Sequence, residues 1–417
     1  MTSSARTLGR TAATLMTAGM IIGTGIFGAL GATAEQAGGA LMLAMIPGGL
    51  VCLATGISGA QLGVNFPKHG GAFVWARAFH YDTLAFIAGC CYVGQGIVGT
   101  SVVSLAFAYY SAQLVPGLPI HLAAGAIVLV VIALNSFGMS FTSKVIIGLM
   151  LVIVALLGVF VCFLAPHVEL THLVPTADKG PLAFMAGAAI FFWAWDGFMR
   201  TAIMAGEIKD PRRTIPFSIL GGIAIAAVVY YAVAAATLGV LGAREMAKDD
   251  VPLFKAAVQA IGPSGGWLIL AAAWTASIGE LVSDLLSVSR VALAMGEAHE
   301  LPKWFGEVHP RFKVPRHAVF AIGVSVFAVV LVFDLRQVLP LASFYLLVWF
   351  AITHYSALQL KEEQRLFSRF FSWFGLAGCF VLLFFIPAFA LIIGVVTLAL
   401  ATGVRFLVRW QFSAYRR

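Results

Sequence analysis

Four ionisable side chains stand inside stretches that are otherwise apolar. In FFWAWDGFMRTAIMAGEIKDPRRTIP, Asp196 follows Trp193 and Trp195, precedes Gly197 and lies four residues before Arg200. In WTASIGELVSDLLSVSRVALAMG, Glu280 and Asp284 lie one helical turn apart on one face, near Ser277, Ser283 and Ser287. A charge in such surroundings is costly unless it is paired or works on something. Asp196 therefore has two readings: an ion pair with Arg200, or contact with a solute or proton, with the flanking indoles covering it. Two close carboxylates tend to hold one proton between them. Glu280 and Asp284 thus read as a proton site, a cation site, or a salt bridge to Arg200. Arg290 lies nearer a span end and reads as a gate or a lipid-phosphate contact.

A fifth feature is the stretch GMIIGTGIFG, Gly19 to Gly28, with four glycines among ten residues of an apolar run. Glycine weakens a helix, so a break is expected at Gly23-Thr24-Gly25. Unsatisfied backbone groups are expensive in hydrocarbon, so a break persists only inside protein or along a polar cavity. One half-helix start there presents amide N–H groups, which suit a carboxylate. The other half-helix end presents carbonyls, which suit an ammonium group. Together they match the two charged groups of an amino acid. Gly19, Gly23 and Gly28 also fit small-residue helix packing.

The elements that must position these residues are membrane helices. The chain of 417 residues is 61% hydrophobic and 11% charged, where a soluble domain carries about a quarter charged residues. With roughly 20 apolar residues per crossing, twelve spans are expected, at 12–33, 39–64, 83–113, 120–137, 144–165, 183–206, 215–241, 265–294, 317–334, 337–359, 371–387 and 389–410. No polar segment between them is long enough to fold separately. The N-terminal apolar segment reads as the first span rather than a removed signal. Lysine and arginine concentrate in alternate loops, which places both termini in the cytoplasm. That sidedness also accounts for the net charge of +8 without nucleic acid. The partners expected are a small solute, protons in a proton-linked cycle, and membrane lipids.

The segment FPKHGGAFVWARAF, 66–79, reads as amphipathic and lying along the membrane face. The outer loop 244–266 carries a helical pattern after Val251 and suits a cap. His354 reads as a hydrogen-bonded packing residue, Lys144 as an interfacial anchor, and the tryptophans mostly as lipid-facing or belt residues. The five cysteines read as small packing residues. No catalytic cluster, metal motif, cofactor site or phosphate loop is visible, so no enzyme is expected. GTG in span 1 and WDG in span 6 are five spans apart, so they cross in opposite directions, which marks an inverted repeat with a broken helix in each half.

These motifs resemble the amino acid–polyamine–organocation (APC) superfamily of permeases. GMIIGTGIFG is similar to its first-span signature, NFPKHGGAFVWARAF to its loop after span 2, and LNSFGMS to its span 4–5 junction. GEIKDPRRTIP is similar to its motif after span 6, VPLFKAAVQAIG to its outer loop before span 8, and 289–315 to its span 8 exit. The match runs from span 1 through span 10. The resemblance implies an all-α integral membrane fold of 12 transmembrane helices. Its 5+5 inverted-repeat core, LeuT-like and shared with sodium-coupled neurotransmitter transporters, has helices 1 and 6 broken and two extra C-terminal helices. Residues 1–165 would form the first repeat, 183–360 the second and 371–410 the additional pair.

By motif position, Ile22, Gly23, Thr24, Gly25 and Ile26 would hold the solute's carboxylate and amine. Trp193, Ala194, Trp195, Asp196 and Gly197 would form the span-6 half, with Trp193 as an aromatic gate. Glu207, Lys209 and Arg212 would belong to the cytoplasmic closing network. Several members carry a lysine in span 5, where this chain has Ile153. The function implied is secondary transport of amino acids or related amines by alternating access in a plasma membrane, of the bacterial inner-membrane kind. The alternatives are a polyamine or organic-cation permease of the same fold, or an ion channel or potassium transporter.

Overall fold

A computed structural model describes residues 8–67, 70–138, 143–176, 178–203 and 208–414. The regular structure among them is helical. In chain order the helices are α1 (Arg10–Ile21), α2 (Gly25–Ala37), α3 (Leu41–Asn65), α4 (Ala72–Ala78), α5 (Asp82–Ser111), α6 (Ile120–Ser136), α7 (Ser143–Leu164), α8 (Gly180–Phe191), α9 (Met199–Ile203), α10 (Pro211–Ala247), α11 (Pro252–Ile261), α12 (Pro263–Glu297), α13 (Arg316–Val332), α14 (Leu335–Leu358), α15 (Arg369–Phe384) and α16 (Ala388–Ala414). Seven helical stretches are long and apolar enough to cross a membrane, and four shorter apolar helices accompany them.

One of the seven runs 41 residues, Gly25–Asn65. As a straight helix it would measure about 60 Å, about twice the hydrocarbon thickness. It is divided at Gly38, which takes φ +56, a conformation a side chain resists. Each expected span falls on one helix or, for the first and sixth, on a broken pair.

The broken pairs lie at the centre. α1 packs on α10 and α7, α2 on α8 and α10, and α9 on α3. Around them, α12 packs on α5 and α7, and α14 on α5 and α15. The helix expected after Val251 is α11, folded against α12 and α10.

One expectation is filled out and another needs correction. The segment after span 2 forms α4, with Ala72, Phe73, Trp75 and Ala76 buried against α5 and α14 and Arg77 and Ala78 exposed. Gly71, at φ +54, lets the chain pass so close that a methyl there would sit 3.0 Å from the Trp349 ring. Lys68 and His69 lie outside the described residues. The tryptophans are not mostly lipid-facing or belt residues. Trp75, Trp193, Trp195 and Trp349 are buried, while Trp267, Trp304 and Trp373 are exposed.

The last two helices are fastened by polar contacts. His354 of α14 is fully buried and bonded to Thr55 at 2.9 Å and to Ser58 at 3.0 Å; Ser58 in turn meets Ser372 of α15 at 2.9 Å. Arg405 of α16 forms a buried two-pronged pair with Glu300 at 2.7 and 3.0 Å.

Candidate functional site

The first break is short. α1 ends at Ile21, α2 begins at Gly25, and Ile22 leaves helical geometry at φ −75, ψ 70. The N–H of Thr24 donates to Glu280 Oε2 at 2.6 Å. Among the described residues, the N–H groups of Gly25 and Ile26 have no acceptor, and the carbonyls of Ile22 and Gly23 have no donor. These are the orphan groups that a helix start and a helix end leave. Ile22, Thr24 and Ile26 are fully buried, so water does not freely satisfy them.

The second break is longer. α8 ends at Phe191, a 3-10 turn covers Phe192–Trp195, Asp196 is extended, and Gly197 takes φ +112 before α9 begins at Met199. A methyl on Gly197 would run into the Met20 carbonyl of α1. A methyl on Gly25 would lie 2.7 Å from Ala194 Cα. The two breaks therefore touch backbone to backbone, and glycine is what permits it. From α10, the Tyr230 hydroxyl lies 2.5 Å from the Ile21 carbonyl and 2.9 Å from the Ala194 carbonyl. Its one proton serves only one of them at a time.

Of the two ion pairs the sequence offers for Arg200, the one with the Glu280/Asp284 face of α12 forms and the one with Asp196 does not. Arg200 pairs with Asp284, both nearly buried, and not with Asp196. Four residues along a helix would bring Asp196 and Arg200 together, but Asp196 and Gly197 are not helical, so the register is lost. Asp196 Oδ2 accepts instead from Gln95 Nε2 of α5 at 2.9 Å. Glu280 and Asp284 share a face of α12, yet their carboxylates go to different partners, Thr24 and Arg200.

A cavity of about 30 Å³ lies where α1, α7, α12 and Arg200 meet. Gly23, Ile153, Gly279 and Glu280 line it. It has room for about one or two waters.

Of the remaining expected residues, Trp193 is buried with its backbone N–H on Ser343 Oγ at 3.2 Å. Its indole Nε1 has no partner among the described residues and lies beside Gly99 and Gln95 of α5. Trp195 turns the other way. It packs on Gly48 and Gly49 of α3 and on Tyr230. Glu207 lies outside the described residues. Lys209 and Arg212 have exposed side chains, but the Lys209 N–H donates to the Leu8 carbonyl at 2.9 Å, and Leu8 and Ile208 form an isolated bridge. At the opposite end of the first span, Arg336 bonds Glu35 at 2.6 Å, Asp250 at 2.7 Å and the Ala247 carbonyl at 2.9 Å.

Four participants escape a sequence reading: Tyr230, Gln95, Ser343, and Tyr92, whose hydroxyl lies 2.8 Å from that of Ser287. Gln95, a lone amide in an apolar run, is the one with a visible signal. Tyr230 in VVYYAV looks like any packing aromatic.

The two breaks thus bring half-helix ends with unpaired or shared backbone groups together inside an apolar bundle. A model of the amino acid permease family matches residues 8–410. The chain belongs to that family. This permease is similar to an uncharacterized transporter of Mycobacterium tuberculosis, 32% identical over 409 residues that cover 96% of the chain and 91% of the relative. It is similar to the methylthioribose transporter of Bacillus subtilis, 24% identical over 382 residues, 87% and 82% of the two chains. The branched-chain amino acid permease of Bacillus subtilis is 27% identical over 430 residues, 97% and 90%. The permease is a multi-pass membrane transport protein and not an enzyme.

Proposed function

We propose that this permease moves an amino acid or a related amine across a bacterial inner membrane by alternating access, with the solute held between the two breaks. The observation that carries the reading is the contact of Gly25 with Ala194 at a place where both helices expose unpaired or shared backbone groups. The Gly25 and Ile26 N–H groups take an oxygen of the solute, and the Ile22 and Gly23 carbonyls take an ammonium. Trp193 covers the site from the second break. The branched-chain amino acid permease among the relatives supports an amino acid as the solute class.

All twelve helical segments cross the bilayer in this reading, as two inverted repeats, 1–165 and 183–360, with 371–410 added. The loop charges support cytoplasmic termini. Arg336 with Glu35 and Asp250 forms the outer closure. The Leu8–Ile208 bridge, with Glu207, Lys209 and Arg212 nearby, forms the inner one. Glu280 and Asp284 are the candidates for proton linkage. A proton on Glu280 would trade its bond to the Thr24 N–H for a weaker one, and so free the first break.

Purified protein in proteoliposomes tests this by uptake of a panel of amino acids and amines, with and without an inward proton gradient. The expected result is saturable uptake of one class, enhanced by the gradient. Replacing Glu280 with Gln and Asp284 with Asn together is expected to abolish the enhancement. Non-saturable flux of small ions without solute uptake would instead make the protein a channel.

A further inference from the structure

Charge around the breaks is unbalanced. Three carboxylates face the site, Asp196, Glu280 and Asp284, and Arg200 is the one basic side chain that reaches them among the described residues. Arg200 is committed to Asp284. Asp196 accepts from a neutral amide, Gln95, and Glu280 from the Thr24 N–H, and neither makes a salt bridge among the described residues. Both contacts suit a carboxylate in its anionic form. With all three carboxylates ionised the site would hold an excess of two negative charges in a low-dielectric setting, which a cationic solute would offset.

A second observation bears on the same spot. The Trp193 indole is buried, and its N–H, beside Gln95 and Gly99, has no partner. A buried donor left open there calls for an acceptor atom, which the carboxylate of a cationic amino acid carries and a bare ammonium or guanidinium does not. At the first break the situation is the reverse. The Thr24 N–H, which would attract a solute's carboxylate, already has one from Glu280. A solute carboxylate approaching Gly25 and Ile26 would meet that like charge one residue away.

Resting on the transport reading above, we propose that the solute carries net positive charge, its cationic amine or guanidine group held at Asp196, and that Glu280 is a built-in anion that disfavours solutes of zero or negative net charge. Asp196 supplies the attraction and Glu280 the rejection. Selectivity needs both terms, since affinity for one solute alone does not exclude its neighbours.

Three probes separate the contributions: lysine, norleucine (the same backbone without the terminal ammonium) and 1,5-diaminopentane (the same cation without the carboxylate). Each is titrated by equilibrium binding to the full-length protein in detergent, alongside the amino acid and amine panel. Lysine or 1,5-diaminopentane is expected to bind at least about tenfold tighter than norleucine, a difference of about 1.4 kcal/mol. The Asp196→Asn variant is expected to narrow that ratio toward one, and Glu280→Gln to raise norleucine binding. Norleucine binding as tightly as lysine in the wild type would overturn charge selection while leaving amino acid transport intact. If no amino acid or amine in the panel binds, the transport reading itself fails, and this inference falls with it.

Discussion

Glu280 Oε2 accepts a hydrogen bond from the backbone N–H of Thr24, 2.6 Å away, across 256 residues of sequence. A side chain of α12 thereby caps the half-helix that starts at Gly25, in the middle of the first span. Neither Thr24 nor any neighbouring side chain caps that helix locally. Replacing Glu280 by Ala should leave the Thr24 N–H buried without a partner, at a cost of about 1–3 kcal/mol. Glu280→Gln, which keeps an acceptor, should lose less. Thermal unfolding of the two variants in the same detergent checks this. A melting temperature for Glu280→Ala equal to that of Glu280→Gln would mean the bond does not stabilise the break.

The Arg200–Asp284 pair is nearly inaccessible to solvent. Removing one partner of such a pair strands the other charge, and typically costs about 3–5 kcal/mol. Arg200→Met is therefore expected to lower the melting temperature sharply. Adding Asp284→Leu should recover most of the loss, because the stranded charge is gone. Additive damage in the double variant would show that the two side chains act separately.

Tyr230 joins the two breaks through one hydroxyl. Tyr230→Phe keeps the ring packing on Phe191 and Trp195 and deletes only the hydrogen bond. The stability change should be small, about 1 kcal/mol. The transport rate should fall by much more than the solute affinity, since the hydroxyl couples two segments that must move together. Uptake kinetics with wild-type maximal rate would remove this role.

Arg336 holds the end of α2, the α10–α11 link and the start of α14 in one cluster. Its partners are partly exposed, so the cluster should add little to stability, at most about 1 kcal/mol per pair. Its effect should appear in transport. Arg336→Glu is expected to abolish uptake with little change in melting temperature, and Glu35→Arg in the same chain should restore part of it. Failure of the charge swap to restore any uptake would point to Asp250 and the Ala247 carbonyl as the partners that matter.

Which of these features were legible beforehand follows from their physics. The breaks at 22–24 and 196–197 show in the sequence because glycine and aspartate interrupt runs that otherwise favour helix. Asp196, Arg200, Glu280 and Asp284 show because a charge in an apolar run is costly and so informative. Their partners do not show. Gln95 is 101 residues from Asp196, and Tyr230 is 209 from Ile21, and no local pattern encodes those meetings. The Asp196–Arg200 pairing expected from helical spacing is lost because the break itself removes the helical register. Trp75 and Trp349 illustrate another limit. An indole facing lipid and one facing the bundle have the same hydropathy, and only packing distinguishes them. The last two helices have generic sequences, yet Arg405 and the His354–Ser58–Ser372 chain fasten them to the rest; His354 was legible as a hydrogen-bonded packing residue, and Arg405 carried no signal.

The central claim is that a solute binds where the two breaks meet. Equilibrium binding of the transported solute to the purified wild-type chain, to Asp196→Asn and to His354→Gln tests it most directly. His354 is as buried as any residue of the site but lies in a separate network with Thr55 and Ser58. The account predicts saturable binding in the wild type, an affinity at least about tenfold weaker in Asp196→Asn, and near-wild-type affinity in His354→Gln once matched for folded protein. Wild-type affinity in Asp196→Asn would contradict it, and would place the solute away from the second break.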